Sequence, residues 1–309
     1  DHAGIVATTM NLLVFVGDHT VRDLIAQRVA SIAEKHPCRV LFLDDTHDAR
    51  KHVVRSDRSE HVTIGVKQTP IETLRSIVHA LIVPNVQTVL LWAGKHTSAD
   101  ERFGSLAGIS HCVVLDSSRT DATAAGLREL MHYVASGGRP DIRDLAYMRL
   151  LPWQDMIAQF FDDADLLADL PSIHEVEVVA GSEAEAYYLL GWLGSRLGWH
   201  PCGANAFCNA DGARIECTLR REGEARRVVS VSLGAPNSTF AATLEKDETD
   251  LVCLTVTGAK ARPKRCAPLR RVDVVTLIER AMLVPKDDEV FRESFDMART
   301  VLSFHTSKS

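Results

Sequence analysis

Met10-Asn11-Leu12-Leu13-Val14-Phe15-Val16, closed by Gly17-Asp18-His19-Thr20, is the stretch that decides the fold class. A continuous apolar run of this length is what a strand buried on both faces of a parallel sheet requires. Gly17, Asp18 and Thr20 mark a turn. Val21, Leu24, Ile25, Val29 and Ile32 then recur at helical spacing up to Lys35. Cys38–Leu43 repeats the buried-strand pattern and stops at Asp44-Asp45. His61–Val66, Val86–Trp92 and His111–Leu115 read as further strands. Thr69, Pro70 and Glu72 carry the signature of a capping box opening a helix, and Asp121–Ala135 reads as a helix ended by Ser136-Gly137-Gly138. Strands alternating with helices predict a mostly parallel sheet with helices on both faces.

The pattern changes past Pro140. Asp141–Phe161 reads as a helical connector broken at Pro152, and Asp162–Asp169 is acidic. Ile173–Val179 alternates as a half-exposed strand. Ser182–Leu197 reads as a helix with Ser182 as cap and Glu185 at the third position. Ala213–Arg221, Arg226–Leu233, Ser238–Glu245 and Leu251–Thr257 alternate with period two, which predicts an antiparallel meander. Val272–Met282 and Asp287–Phe304 would be helices packed on one face of it. The expected division is an α/β domain over 1–150, a helical acidic connector over 151–171 and an α+β domain over 172–309.

Composition narrows the class. The 309 residues are 46 % hydrophobic and 25 % charged, with a formal charge of −6, which is ordinary for a folded globular chain. No apolar run approaches the roughly 18 residues of a membrane span, and residues 1–15 show no secretory leader. Seven cysteines, an odd and scattered set, argue against a secreted disulfide framework and for a reducing cytoplasm.

The motifs of common chemistries are missing. The loop after the first strand lacks the glycines that let a backbone approach a pyrophosphate. No HExxH, GxSxG or CxxC occurs. The spacing of His200, Cys202, Cys208 and Cys217 fits no zinc pattern, so neither a metal nor a cofactor is expected. Asp44, Asp45, Asp116 and Ser117 fall at the carboxyl ends of expected parallel strands, where open α/β sheets place ligands. They support one alternative, an α/β enzyme that binds or processes a sugar phosphate. The competing reading is that they cap the following helices.

Charge is segregated. No Lys or Arg lies between Arg149 and Arg196, while Asp162, Asp163, Asp165, Asp169, Glu175, Glu177, Glu183 and Glu185 do. Lys260, Arg262, Lys264, Arg265, Arg270 and Arg271 then crowd a stretch without acids. This reads either as a loop docking an acidic or phosphorylated partner or as a solvated loop paired with the acidic block. Nucleic acid is not expected, because the net charge is negative and no aromatics interleave with the basic residues. Arg143, Tyr147, Arg149 and Trp153 cluster in the connector. Trp192 and Trp199 flank glycines in the Leu189–Trp199 segment, where each helical Gly costs about 1 kcal/mol and implies close packing. These aromatics and arginines are candidate structural or interface anchors. Cys38 and Cys112 begin buried strands and read as inert, whereas Cys202 and Cys208 read as loop thiols open to redox chemistry.

Five ordered blocks carry a resemblance: His36-Pro37-Cys38-Arg39, Val89–Gly94, Val113–Ser118, Arg143–Trp153 and Leu189–Trp199. Together they resemble the glucose-6-phosphate dehydrogenase assembly protein family (OpcA) of bacteria, with Tyr147-Met148 where that family has Trp-Thr and Ala93 where it has a second Trp. The resemblance implies a non-catalytic, cytoplasmic factor of carbohydrate metabolism. It would bind glucose-6-phosphate dehydrogenase, the entry enzyme of the oxidative pentose phosphate pathway, and promote its assembly or active form. It also implies redox control through cysteines.

Overall fold

The computed structural model describes residues 8–48, 51–55, 59–94, 97, 100–120, 123–136, 141–203, 206–222, 227–245, 250–283 and 288–305. Asp121, Gly137, Gly138, Pro140, Arg226 and Asp287, named above at expected element ends, lie outside these residues. The chain is α/β and divides into two compact units. One holds residues 1–121, 129–145 and 273–286; the other holds 122–128, 146–272 and 287–309. No helix among the described residues is long and apolar enough to cross a membrane.

The first unit is built on strands β1 (Met10–Val16), β2 (Cys38–Asp44), β3 (Lys51–Arg55), β4 (Ser59–Gly65), β5 (Gln87–Ala93), β6 (Cys112–Leu115) and β7 (Asp141–Asp144). Their order is β3-β4-β2-β1-β5-β6-β7, parallel throughout except for β3, which runs antiparallel to β4. Leu12 to Val16 are fully buried, as their unbroken apolar character demands. Phe15 stacks on Trp92 at 4.3 Å, and Trp92 meets the edge of Phe103 at 5.1 Å. The one polar residue of the opening strand, Asn11, is satisfied on both sides: its amide donates to the Val83 carbonyl at 2.9 Å, and its carbonyl accepts from the Val83 N–H at 2.8 Å.

Helices α1 (His19–Lys35), α2 (Ile71–Leu81), α3 (Glu101–Ala107), α4 (Ser117–Thr120) and α5 (Ala124–Ala135) connect these strands. The expected capping box at α2 does not form: Pro70 occupies the cap and no side chain bonds there. The expected helical connector from Asp141 begins instead with β7, which extends the parallel sheet beside β6. Its polar sequence, Asp-Ile-Arg-Asp, hides a strand at a sheet edge.

The second unit follows through α6 (Leu145–Met148), α7 (Leu151–Ala158) and α8 (Ala164–Leu167). Then come β8 (Glu175–Ala180), α9 (Glu183–Arg196), β9 (His200–Gly203), β10 (Ala206–Cys208), β11 (Arg214–Arg221), β12 (Val228–Ala235), β13 (Ser238–Leu244), β14 (Leu251–Gly258) and β15 (Arg262–Pro268). The sheet order is β15-β14-β13-β12-β8-β11-β10-β9. The meander therefore runs from β12 to β15, and β8 separates β11 from it, pairing parallel to β11 and antiparallel to β12. Register sorts the side chains. Val178, Val231, Ala242 and Leu254 form one buried row, while Glu177, Ser232, Ala241 and Thr255 line the opposite face.

Two helices close the chain, α10 (Val274–Leu283) and α11 (Glu289–His305). Both were expected on the meander. Only α11 belongs there, packed along α9, whereas α10 lies with α1 and β6 in the first unit. The glycines of α9 explain the α9–α11 approach: a Cβ on Gly191 would stand 2.2 Å from the Ser294 carbonyl oxygen and 2.6 Å from the Ala298 methyl.

Candidate functional site

Parallel strands aim their carboxyl ends at the place where this architecture holds ligands, between β1 and β5, where the strand order reverses. Here the groups at those ends are bonded to one another. Asp18 caps α1, accepting from the Thr20 N–H at 2.9 Å, so a carboxylate already faces the amides that would attract a phosphate. Asp44, 2 % exposed at the end of β2, takes the Arg22 guanidinium at 2.6 Å, the Thr46 N–H at 3.0 Å and His47 Nδ1 at 3.0 Å. Burial alone would raise its pKa, but the bonds from Thr46 and Arg22 outweigh it and hold Asp44 below its ordinary value. An ionised, fully engaged carboxylate is a poor general base.

Asp45 and Asp100 share Arg102, at 2.5 and 3.0 Å, and the guanidinium lies 5.2 Å above the Phe15 ring. Asp116 accepts from the Ser118 hydroxyl at 2.6 Å, and its carbonyl accepts from the Arg119 N–H at 2.9 Å. Ser117 is fully buried, with its N–H bonded to Asp144 at 3.1 Å. The sugar-phosphate alternative needed these side chains to converge on open space. The carboxylates cap turns and close ion pairs instead, and the Ser117 side chain is buried.

The aromatic and arginine candidates fall into two groups. Arg143, Tyr147, Trp153 and Trp199 are at most 5 % exposed and offer no surface to another molecule. Arg143 pairs with Asp141 at 2.5 Å. Tyr147 meets Phe291 and Tyr188 edge-on at 4.8 and 5.8 Å, and burial pushes its phenol pKa up. Trp199 packs near Phe207, with ring centroids 6.5 Å apart. Arg149 is partly exposed but committed, its Nε lying 2.9 Å from the Glu185 carboxylate, which is itself 1 % exposed. Ser182 caps α9 without a side-chain bond, and the Glu185 carboxylate, at the third position, is turned to Arg149 instead of back to the cap. Trp192, on α9, is half-buried like Arg149.

The middle of the basic stretch is not a loop: Arg262, Lys264 and Arg265 lie on β15, the edge strand of the second sheet, where charges and prolines guard an unpaired edge, with Lys260 before it and Arg270 and Arg271 after it. Its cations meet the acidic block: Lys260 lies 2.6 Å from Asp169, and Arg262 lies 2.9 Å from Asp163. Arg262 and Lys260 hold the Asp163 and Asp169 carboxyls below their ordinary range. Lys264 reaches Glu245 at 3.0 Å, Arg271 pairs with Asp250, and Arg265 stays exposed.

The cysteine expectation needs correction. Cys202 and Cys208 are not loop thiols; they lie on β9 and β10 and are joined as a disulfide. A second disulfide joins Cys253 on β14 to Cys266 on β15. Spacing could not reveal either bond, because each depends on strand register. Cys38, Cys112 and Cys217 remain thiols, and burial raises them to about 11, about 11 and about 12, which makes them inert.

Comparisons with known proteins agree with this architecture. The family model described as "Glucose-6-phosphate dehydrogenase subunit N-terminal domain" matches residues 29–132, and its C-terminal counterpart matches 140–295. "Putative OxPP cycle protein OpcA" of Nostoc punctiforme is 27 % identical over 205 residues, covering 60 % of this chain and 44 % of that one. The protein of the same name from Synechococcus elongatus is 25 % identical over 187 residues, covering 55 % and 42 %. The chain thus aligns with under half the length of these curated relatives. Among solved structures, the 3-ketoreductase KijD10 of Actinomadura kijaniata superposes with a TM-score of 0.53 at 11 % identity, covering 97 % of this chain and 98 % of that one. A levoglucosan dehydrogenase gives 0.52 at 10 %, covering 97 % of each. At such identities the likeness is one of fold alone.

Proposed function

The chain belongs to the glucose-6-phosphate dehydrogenase subunit family, OpcA, and from that premise we propose that it is a non-catalytic partner of this dehydrogenase in the oxidative pentose phosphate pathway. The observation that carries the reading is the ordered match of both family domains to a chain whose strand-end carboxylates are already engaged by its own arginines. An assembly factor needs a surface rather than a reaction centre. It raises activity only by binding the active state of its partner more tightly than the inactive one, with about 1.4 kcal/mol of difference for each tenfold shift. Trp192, half-buried on α9, is our candidate contact residue. A redox input at Cys202–Cys208 and a cytoplasmic location belong to the same proposal; the exposed Cys202 is where a reductant would attack.

The test is co-purification with the cognate dehydrogenase, followed by its rate and substrate affinity with and without the chain. Complex formation with a changed rate or affinity is the expected result. Absence of both a complex and any kinetic change overturns the proposal.

A further inference from the structure

We propose that Cys253, Cys266 and Glu245, once the Cys253–Cys266 disulfide is reduced, form a three-ligand site for a soft divalent cation of the zinc class. Cys253 and Cys266 face each other in register on neighbouring antiparallel strands, so both sulfurs emerge on the same face of the ladder. Glu245, just past the end of β13, brings a carboxylate oxygen to 3.4 Å from the Cys253 sulfur. One ligand atom from each residue lies within 4.8 Å of the other two. In a tetrahedral zinc site, bonds of about 2.3 Å to sulfur and about 2.0 Å to oxygen separate neighbouring sulfur and oxygen by about 3.5 Å, and two sulfurs by about 3.8 Å. The carboxylate already stands at the required distance. The two sulfurs need only move apart, which side-chain rotation at Cys266, the exposed member, allows.

The chemistry balances. A dithiol reductant gives two electrons and two protons to the disulfide, leaving two thiols on the protein and a disulfide on the reductant. The cation then displaces both thiol protons to solvent and binds two thiolates and the carboxylate, with water in the fourth position. That set carries one net negative charge. Lys264, 3.0 Å from the Glu245 carboxylate, opposes it and orients the ligand from outside. The other disulfide has no such companion: among the described residues, the Glu245, Cys253 and Cys266 group is the one that gathers three potential ligands. A disulfide in a reducing compartment gives way to thiols, and two thiols held opposite each other beside a carboxylate favour a metal.

The test is an anaerobic titration of the metal-free, phosphine-reduced full chain with Cd2+, read by sulfur-to-cadmium charge-transfer absorbance, with Zn2+ as competitor. The expected result is one tight site per chain with the absorbance of two thiolates. C253S and C266S should each abolish it, and E245Q should weaken it at least about tenfold. The double variant C202S/C208S should leave it intact. Should buried C253S fail to fold, the surface variants C266S and E245Q carry the test. Absence of the charge-transfer band overturns the proposal. So does a site that survives C266S, one lost with C202S/C208S, or an E245Q affinity equal to that of the unaltered chain.

Discussion

The carboxyl ends of the parallel sheet and the edges of the mixed sheet use reactive side chains in opposite ways. At the strand ends of the first unit, Asp44, Asp45, Asp100 and Asp116 are tied to Arg22, Arg102 and Arg119. In open α/β sheets that region is the general place for a ligand; here it is bonded to itself. In the second unit the reactive groups sit at the two margins. One disulfide joins β9 to β10 at one end of the strand order, and the other joins β14 to β15 at the opposite end. A shared backbone plan thus says little about where chemistry resides. The partners of each side chain say much more.

Four variants separate the two regions. The largest effect should come from Gly191→Val, which forces side-chain atoms into the Ser294 carbonyl and Ala298 of α11. It should destabilise the second unit by about 3 kcal/mol, read as a lowered urea midpoint. Arg22→Ala comes next. It strips the buried Asp44 of its cation and should remove about 2 kcal/mol, less than a fully buried pair because Arg22 is itself one-third exposed. Its pH signature is specific. Asp44 has a folded pKa below its unfolded value, so its contribution is present above roughly pH 4 and lost as pH falls through the folded pKa. Urea unfolding of Arg22→Ala across that range should show a smaller acid loss than the unaltered chain.

Trp192→Ala should change stability by only about 1 kcal/mol, yet weaken binding to the dehydrogenase by about 2 kcal/mol if the tryptophan is a contact. Calorimetry on the complex checks it, and unchanged affinity removes Trp192 from the interface. The smallest effect belongs to Arg262→Ala. The pair with Asp163 is open to solvent, so the loss should be the smallest of the four and should vanish in high salt.

What could be read from the residues follows from how each segment is buried. β1, β2 and β5 announce themselves because they are covered on both faces and made of little but apolar side chains. β3, β7 and β15 do not, since edge strands are written in Lys, Arg, Asp and Pro. The charge blocks were visible, but their mutual neutralisation depends on β15 returning past Asp163 and Asp169. Arg149 and Glu185 stand far apart in the chain, so their pairing could not be foreseen, and a local capping box was expected in its place. The strand-end acids could be located from pattern alone, yet whether they were free or paired required the positions of Arg22 and Arg102.

The return of α10 to the first unit has a consequence for synthesis. A chain leaving the ribosome exposes β1 through β7 early, but the helix lying against α1 and β6 arrives only after the whole mixed sheet has emerged. Likewise β8 must wait for β11 before one of its edges is paired and for β12 before both are. The first unit is therefore incomplete until translation has passed Leu283, and the second until α11 has followed to lie along α9.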